Sequence, residues 1–132
     1  MVSRAFPVAY SHDVEGSAKF WELLGFERFY ELASPNGELG YVGLRCGTSE
    51  LAVTHLSWPR ERYGAAPDDG PRFEMYLYVD DLEAAIEVCR DNGVAVLREA
   101  EDMPWGERIA SVLDPDGNPV TLCADNPGLA AN

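Results

Sequence analysis

Residues 12–26 read HDVEGSAKFWELLGF, and residues 80–94 read DDLEAAIEVCRDNGV. At a constant offset of 68 (81 − 13), Asp13 aligns with Asp81, Val14 with Leu82, Glu15 with Glu83 and Gly25 with Gly93. Each stretch opens on an Asp suited to cap a helix and closes on a Gly suited to end one. In the first, Val14, Ala18, Trp21 and Leu24 fall on one helical stripe. In the second, Leu82, Ile86 and Cys89 do so, with Ala85 beside them. A capped amphipathic helix stated twice at one offset marks a duplicated supersecondary unit.

Working outward from the two helices, strand-like segments surround each. FPVAY precedes the first helix, and FERFYELA, ELGYVGLRC and SELAVTHLSW follow it. FEMYLYV precedes the second, and VAVLREA, ERIASVLD and NPVTLCA follow, with SPNG and DPDGN as turns. Both halves therefore read β-α-β-β-β. The expectation is an α+β fold of two βαβββ modules, each a curved mixed sheet with a helix on its outer face, together enclosing a cleft. The modules span residues 1–59 and 73–124, joined by a Gly/Pro-rich linker at 60–72, with a tail at 125–132 and one structural domain overall.

The chain has 132 residues, 46% hydrophobic and 25% charged, a globular composition. Cys46, Cys89 and Cys123 are odd in number and contain no CxxC pair, so each reads as a small buried apolar residue of a cytoplasmic protein. No apolar run reaches the ~20 residues that span a bilayer, and no signal-peptide profile precedes the first strand. The net charge of −13 repels phosphate backbones, which excludes nucleic acid as a partner. The same acidity either draws cationic ligands or only maintains solubility.

Side chains two apart on a strand share a face. Met75, Leu77 and Val79 form an apolar face for the second helix, which leaves Glu74, Tyr76 and Tyr78 on the other. By the same offset the first half presents Phe6, Val8 and Tyr10. Large side chains on both faces imply that the second face is also covered, either as the wall of a ligand cleft or by packing on another half or subunit.

Together these features resemble the vicinal oxygen chelate superfamily, which includes glyoxalase I, extradiol dioxygenases, fosfomycin-modifying enzymes and bleomycin-resistance proteins. The likeness covers about residues 5–124 and rests on the two βαβββ copies, the helix openings, WELLGFE and DPDGNPV. FPVAYSHDVEGSAKFW, LLGFE and WGERIASVLDPDGNPV are most similar to the antibiotic-binding, bleomycin-resistance branch. That resemblance implies a homodimer whose N-terminal arm, ending at Pro7, is exchanged between subunits.

Enzymes of the superfamily hold a divalent ion with His and Glu side chains. Carried over by position, those ligands fall on Phe6, Ala52, Glu74 and Thr121. Phe and Ala coordinate nothing and a neutral Thr hydroxyl binds such ions poorly, so no metal site and no cofactor is expected. His12 precedes a helix cap and reads as a surface residue. His55 either faces the helix side or sits at a strand end near Trp58.

Without a metal, the pattern points to binding. Trp21 lies on the helix stripe, whereas Trp58 and Trp105 occupy strand-end and loop positions. There they either stack on a flat ligand or cap a core or dimer contact, with Met103 beside Trp105 as an adaptable wall. Glu74 pairs either with a cationic ligand or internally with Arg108, Tyr76 or Tyr78. The expected ligand-binding set is Phe6, Val8, Tyr10, His55, Trp58, Glu74, Tyr76, Met103, Trp105 and Thr121, with no catalytic residue. The expected activity is sequestration of an aromatic, cationic DNA-damaging antibiotic of bleomycin, mitomycin or enediyne type. The alternatives are a lyase, isomerase or dioxygenase of secondary metabolism with Glu74 as base, or a subunit or regulatory domain without a small ligand.

Overall fold

The computed structural model describes residues 1, 4–63 and 72–125. The chain divides into two compact units, Met1–Asp69 and Gly70–Asn132. The first contains β1 (Val8–Ser11), α1 (Val14–Leu23), β2 (Glu27–Ala33), β3 (Leu39–Cys46), β4 (Ser49–His55) and α2 (Ser57–Tyr63). The second contains β5 (Met75–Tyr78), α3 (Leu82–Asp91), β6 (Val96–Asp102), β7 (Glu107–Leu113) and β8 (Pro119–Asp125). Each unit builds one four-stranded mixed sheet, in the orders β1-β4-β3-β2 and β5-β8-β7-β6. The first strand of each runs parallel to the last, and the other neighbours are antiparallel. The α+β fold of paired βαβββ modules is the one the duplicated sequence predicts.

The caps act as expected. The Asp13 carboxylate accepts from the Gly16 N–H at 2.9 Å, and that of Asp81 from the Ala84 N–H at 3.1 Å. Such bonds satisfy one of the donors every helix start leaves open. Gly25 and Gly93 follow the helices at φ 103° and 75°, where a side chain would be strained.

One face of each sheet carries the core. In the first unit Val14, Ala18, Phe20 and Trp21 of α1 pack over Ala9, Val42, Leu44, Leu51 and Val53, all buried. The α1 helix contacts β3, β4 and β2. Trp21 is fully enclosed, with Phe20 and Phe26 edge-on to it at 5.0 and 5.6 Å. In the second unit Leu82, Ile86 and Cys89 of α3 face Ala110, Val112, Val120 and Leu122. Arg28 of β2 ties the sheet to α1 through Glu15 and Glu22.

Three features depart from the sequence expectations. The segment SELAVTHLSW ends as a strand at His55, and Ser57–Tyr63 is helical, taking in residues 60–63 of the expected linker. Pro59 lies in the first turn of that helix, where no N–H is required of it. The β5 strand begins at Met75, so Phe73 and Glu74 precede it. Cys46 is exposed rather than buried, as the last residue of β3 at the turn into β4; Cys89 and Cys123 are buried as expected. The remaining linker residues 64–71 and tail residues 126–132 lie outside the described residues.

The DPDGN turn joining β7 to β8 is built around a buried polar pair. Asp114 accepts from the backbone N–H groups of Asp116 at 2.9 Å and Asn118 at 2.8 Å, and from the Asn118 amide at 3.0 Å. Asn118 in turn accepts from the Arg72 N–H at 2.9 Å. Both side chains are buried, and removing one partner leaves the other unsatisfied. Asn118→Ala should therefore lower unfolding free energy by about 2–3 kcal/mol. A reduced urea midpoint with an unchanged m-value is the expected readout.

Candidate ligand-binding site

Strand alternation assigns the site. Ala9 and Ser11 are buried beneath α1, which turns Val8 and Tyr10 to the opposite, open face of the sheet. The register sets Val8 beside Ala52 and Tyr10 beside Thr54, with Tyr41 and Gly43 next across β3. A bulge between Arg28 and Tyr30 interrupts the β2 ladder, and Leu32 pairs with Tyr41. The open face of the first unit is therefore aromatic and apolar. Tyr30, Leu32 and Val8 are exposed on it, and the Tyr30 and Tyr41 rings meet edge-on at 6.0 Å.

On this face lies a groove of ≈ 630 Å³. Val8, Tyr10, Leu32 and Tyr41 form its floor and wall, and Trp58 and Glu61 of α2 border it. Its size falls in the ~300–1,000 Å³ range of small-molecule sites. His55, the last residue of β4, also lines it. The His55 Nδ1 accepts from the Ser57 N–H at 3.1 Å and lies 3.0 Å from the Ser57 hydroxyl. A neutral imidazole accepting at Nδ1 carries its proton on Nε2, so His55 offers a donor to a guest. The Tyr41 phenol is pushed up from its ordinary value, chiefly by burial, and stays neutral near pH 7.

Beside the groove, and sharing Tyr41 with it, is a smaller recess of ≈ 230 Å³ that includes Phe6. Of the residues expected to bind a ligand, Val8, Tyr10, His55 and Trp58 thus line one groove and Phe6 the adjoining recess. Sequence reasoning missed Leu32, Tyr41 and Glu61. Tyr41 and Leu32 were readable as alternate residues of their strands. Glu61 was not, because it reaches the groove only through α2, which the neighbouring Pro and Gly residues masked.

In the second unit Tyr76 and Tyr78 stand on the open face, exposed, with rings 6.0 Å apart. The register places Tyr76 beside Thr121 and Tyr78 beside Cys123. Thr121 is buried, its hydroxyl 3.0 Å from that of Ser111. Glu74 is exposed ahead of β5, and its carboxylate has no hydrogen-bond or ion-pair partner among the described residues. The Arg108 considered for it pairs instead with Glu83 and Asp102, both at 3.0 Å. The organised carboxylate of this face is Glu107. Trp105, exposed in the turn with Met103, donates its indole N–H to Glu107 at 2.8 Å. Hydrogen bonding to Glu107 and its negative charge push the Tyr78 phenol up to about 12, while Tyr78 and then Trp105 hold the Glu107 carboxyl below its ordinary value.

A divalent ion does not fit the positions to which the family resemblance carries its ligands. Phe6 and Ala52 of the first unit donate nothing. In the second unit the Thr121 hydroxyl is engaged by Ser111, and Glu74 stands without an imidazole. Among the described residues no three His, Cys, Asp or Glu side chains gather as metal ligands would.

Residues 6–122 match the Glyoxalase/Bleomycin resistance protein/Dioxygenase superfamily, and the chain belongs to it. Among solved structures, a superfamily member from Sphaerobacter thermophilus is 24% identical over 95% of this chain and 98% of its own, with a TM-score of 0.72. TioX from Micromonospora sp. ML1 is 17% identical over 92% and 95%, with a TM-score of 0.69. A lactoylglutathione lyase from Agrobacterium tumefaciens is 18% identical over 93% and 94%, also at 0.69. At such identities these structures share the fold. No curated protein matches the chain.

The Glu107 cluster has a titration signature. A phenol whose folded value is raised contributes stability that is complete below its ordinary value near 10 and is lost as pH rises toward 12. At pH 11 Tyr78 should remain a phenol, whereas in Glu107→Gln it should ionise. Absorbance at the tyrosinate band, compared between the two proteins, should show about one additional ionised tyrosine in the variant.

Proposed function

We propose that the protein binds an aromatic small molecule on the open face of its first unit and sequesters it without changing it. The observation that carries this reading is the ≈ 630 Å³ groove faced by Tyr10, Tyr41 and Trp58, with Glu61 at its border. Exposed rings around a groove favour flat guests by stacking. The acidic side chain, on a protein of net charge −13, favours guests carrying positive charge. The chemical class that meets both demands is a ring-bearing, basic natural product. A DNA-damaging antibiotic of bleomycin, mitomycin or enediyne type is such a compound, and the protein would then serve self-resistance. The homodimer that the resemblance implies and the cytoplasmic location expected from the cysteine usage belong to the same proposal.

Support for a metal-assisted enzyme is weaker, because the positions for its ligands carry the wrong donors. A base at Glu74 is also disfavoured, because the side chain is exposed and burial is what makes a carboxylate a competent base near neutral pH. The groove's own donors, the His55 Nε2–H and the Tyr10 and Tyr41 hydroxyls, suit recognition of carbonyl or hydroxyl groups on a bound guest.

Titration with such compounds should quench tryptophan emission to an endpoint of one per subunit, with the compound recovered unaltered and its affinity unaffected by a chelator. Trp58→Ala and Tyr10→Ala should each weaken binding about 10-fold, corresponding to a lost ring contact of about 1.4 kcal/mol. Chemical conversion of the compound would instead identify an enzyme.

A further inference from the structure

The recess beside the groove is occupied at its edge by the chain's own cation. Arg4 precedes β1, and residues 4–7 carry no regular secondary structure. Its guanidinium stands over the Phe6 ring at 5.1 Å and the Phe29 ring at 5.9 Å, both within the ~6 Å of a cation–π contact. It also forms a two-pronged pair with Glu50, the Nε bond measuring 2.7 Å and the second joining Nη2 to Oε1. Tyr30, Tyr41 and Ala52 complete the recess.

The recess is a built feature of the sheet. Gly43 has no side chain, and a Cβ there would meet the Phe29 ring at 3.2 Å, so a larger residue would push that ring back by a few tenths of an ångström. Glu50 is opposite Arg45 in the β3–β4 ladder, and Arg45 in turn stands over Phe29 at 5.2 Å. The Glu50 side chain is 18% exposed, against 55% for Arg4. Glu50 sits on the paired strand β4 whereas Arg4 precedes β1, so the carboxylate is held by the ladder and the cation is not.

We propose that this aromatic recess is a binding site for a guanidinium or alkylated ammonium group, that Glu50 is its counter-ion, and that Arg4 is a built-in occupant which such a group displaces. The exchange is charge-neutral, one cation for another over the same rings and carboxylate. It requires movement of one side chain in a terminal segment and no rearrangement of the sheet. A tethered occupant lowers the apparent affinity for a competing cation by the fraction of molecules in which Arg4 is seated. It therefore rejects simple cations and admits a ligand whose ring system is already held in the groove that Tyr41 shares. The proposal deepens the binding reading above, and its biological meaning rests on that reading.

The test uses two probes on the whole chain, ethylguanidinium, which has no ring system, and a neutral polycyclic aromatic compound. Calorimetry should show ethylguanidinium binding Arg4→Ala at least 10-fold more tightly than the unaltered protein. In Arg4→Ala/Glu50→Gln that gain should disappear, and Arg4→Lys should stay close to the unaltered protein. The neutral aromatic compound should bind all four proteins alike, so that its failure to bind speaks against the groove and not against the recess. Equal ethylguanidinium affinity in Arg4→Ala and the unaltered protein would overturn the proposal. So would a gain that survives Glu50→Gln. Circular dichroism establishes that each variant is folded before the comparison.

Discussion

Each half of this protein depends on one constraint, the turning of alternate side chains of a short first strand toward a single helix. Ala9 and Ser11 disappear under α1, and Met75 and Leu77 turn toward α3. Because successive side chains on a strand point to opposite faces, this placement forces Val8, Tyr10, Tyr76 and Tyr78 outward. The helix packing thereby determines which residues are available to a ligand. Trp21, enclosed with Phe20 and Phe26, supplies much of the apolar area that fixes the first helix.

The second determinant is the parallel pairing of first and last strand in each unit. It sets Val8 against Ala52 and Tyr76 against Thr121, equivalent places in the two copies. Ala52 and Thr121, together with Phe6 and Glu74, are the positions to which the family resemblance carries metal ligands. Duplication has kept the backbone while the side chains have diverged. The first unit has become aromatic and apolar at these places. The second pairs the Thr121 and Ser111 hydroxyls and gathers donors on Glu107. Superfamily membership fixes the framework, and these substitutions carry what is particular to this chain.

Charge is organised differently on the two faces of the first sheet. On the helix side Arg28 bridges Glu15, Glu22 and Glu31 and secures α1 to β2. On the open side Arg4 and Arg45 stand over Phe29 with Glu50 between the roles of sheet residue and counter-ion. Exposed ion pairs contribute little to stability, typically about 0–1 kcal/mol each. On the open face the same rings and carboxylate are the groups proposed above to recognise a cation.

The sequence by itself determined the duplicated β-α-β-β-β plan, the Asp caps, the helix stripes and the outward direction of Val8, Tyr10, Tyr76 and Tyr78. All of these follow from local periodicity and capping chemistry, which act within a few residues. It also showed that Phe6, Ala52 and Thr121 are poor metal ligands, a matter of side-chain chemistry alone. Only the tertiary structure decided that α2 brings Trp58 and Glu61 to the groove, that Arg4 meets Glu50 from 46 positions away, and that Glu107, not Glu74, is the carboxylate that gathers donors on its face. The physical reason is that these contacts join side chains distant in sequence or re-aimed by a turn, and strand periodicity carries no information about either.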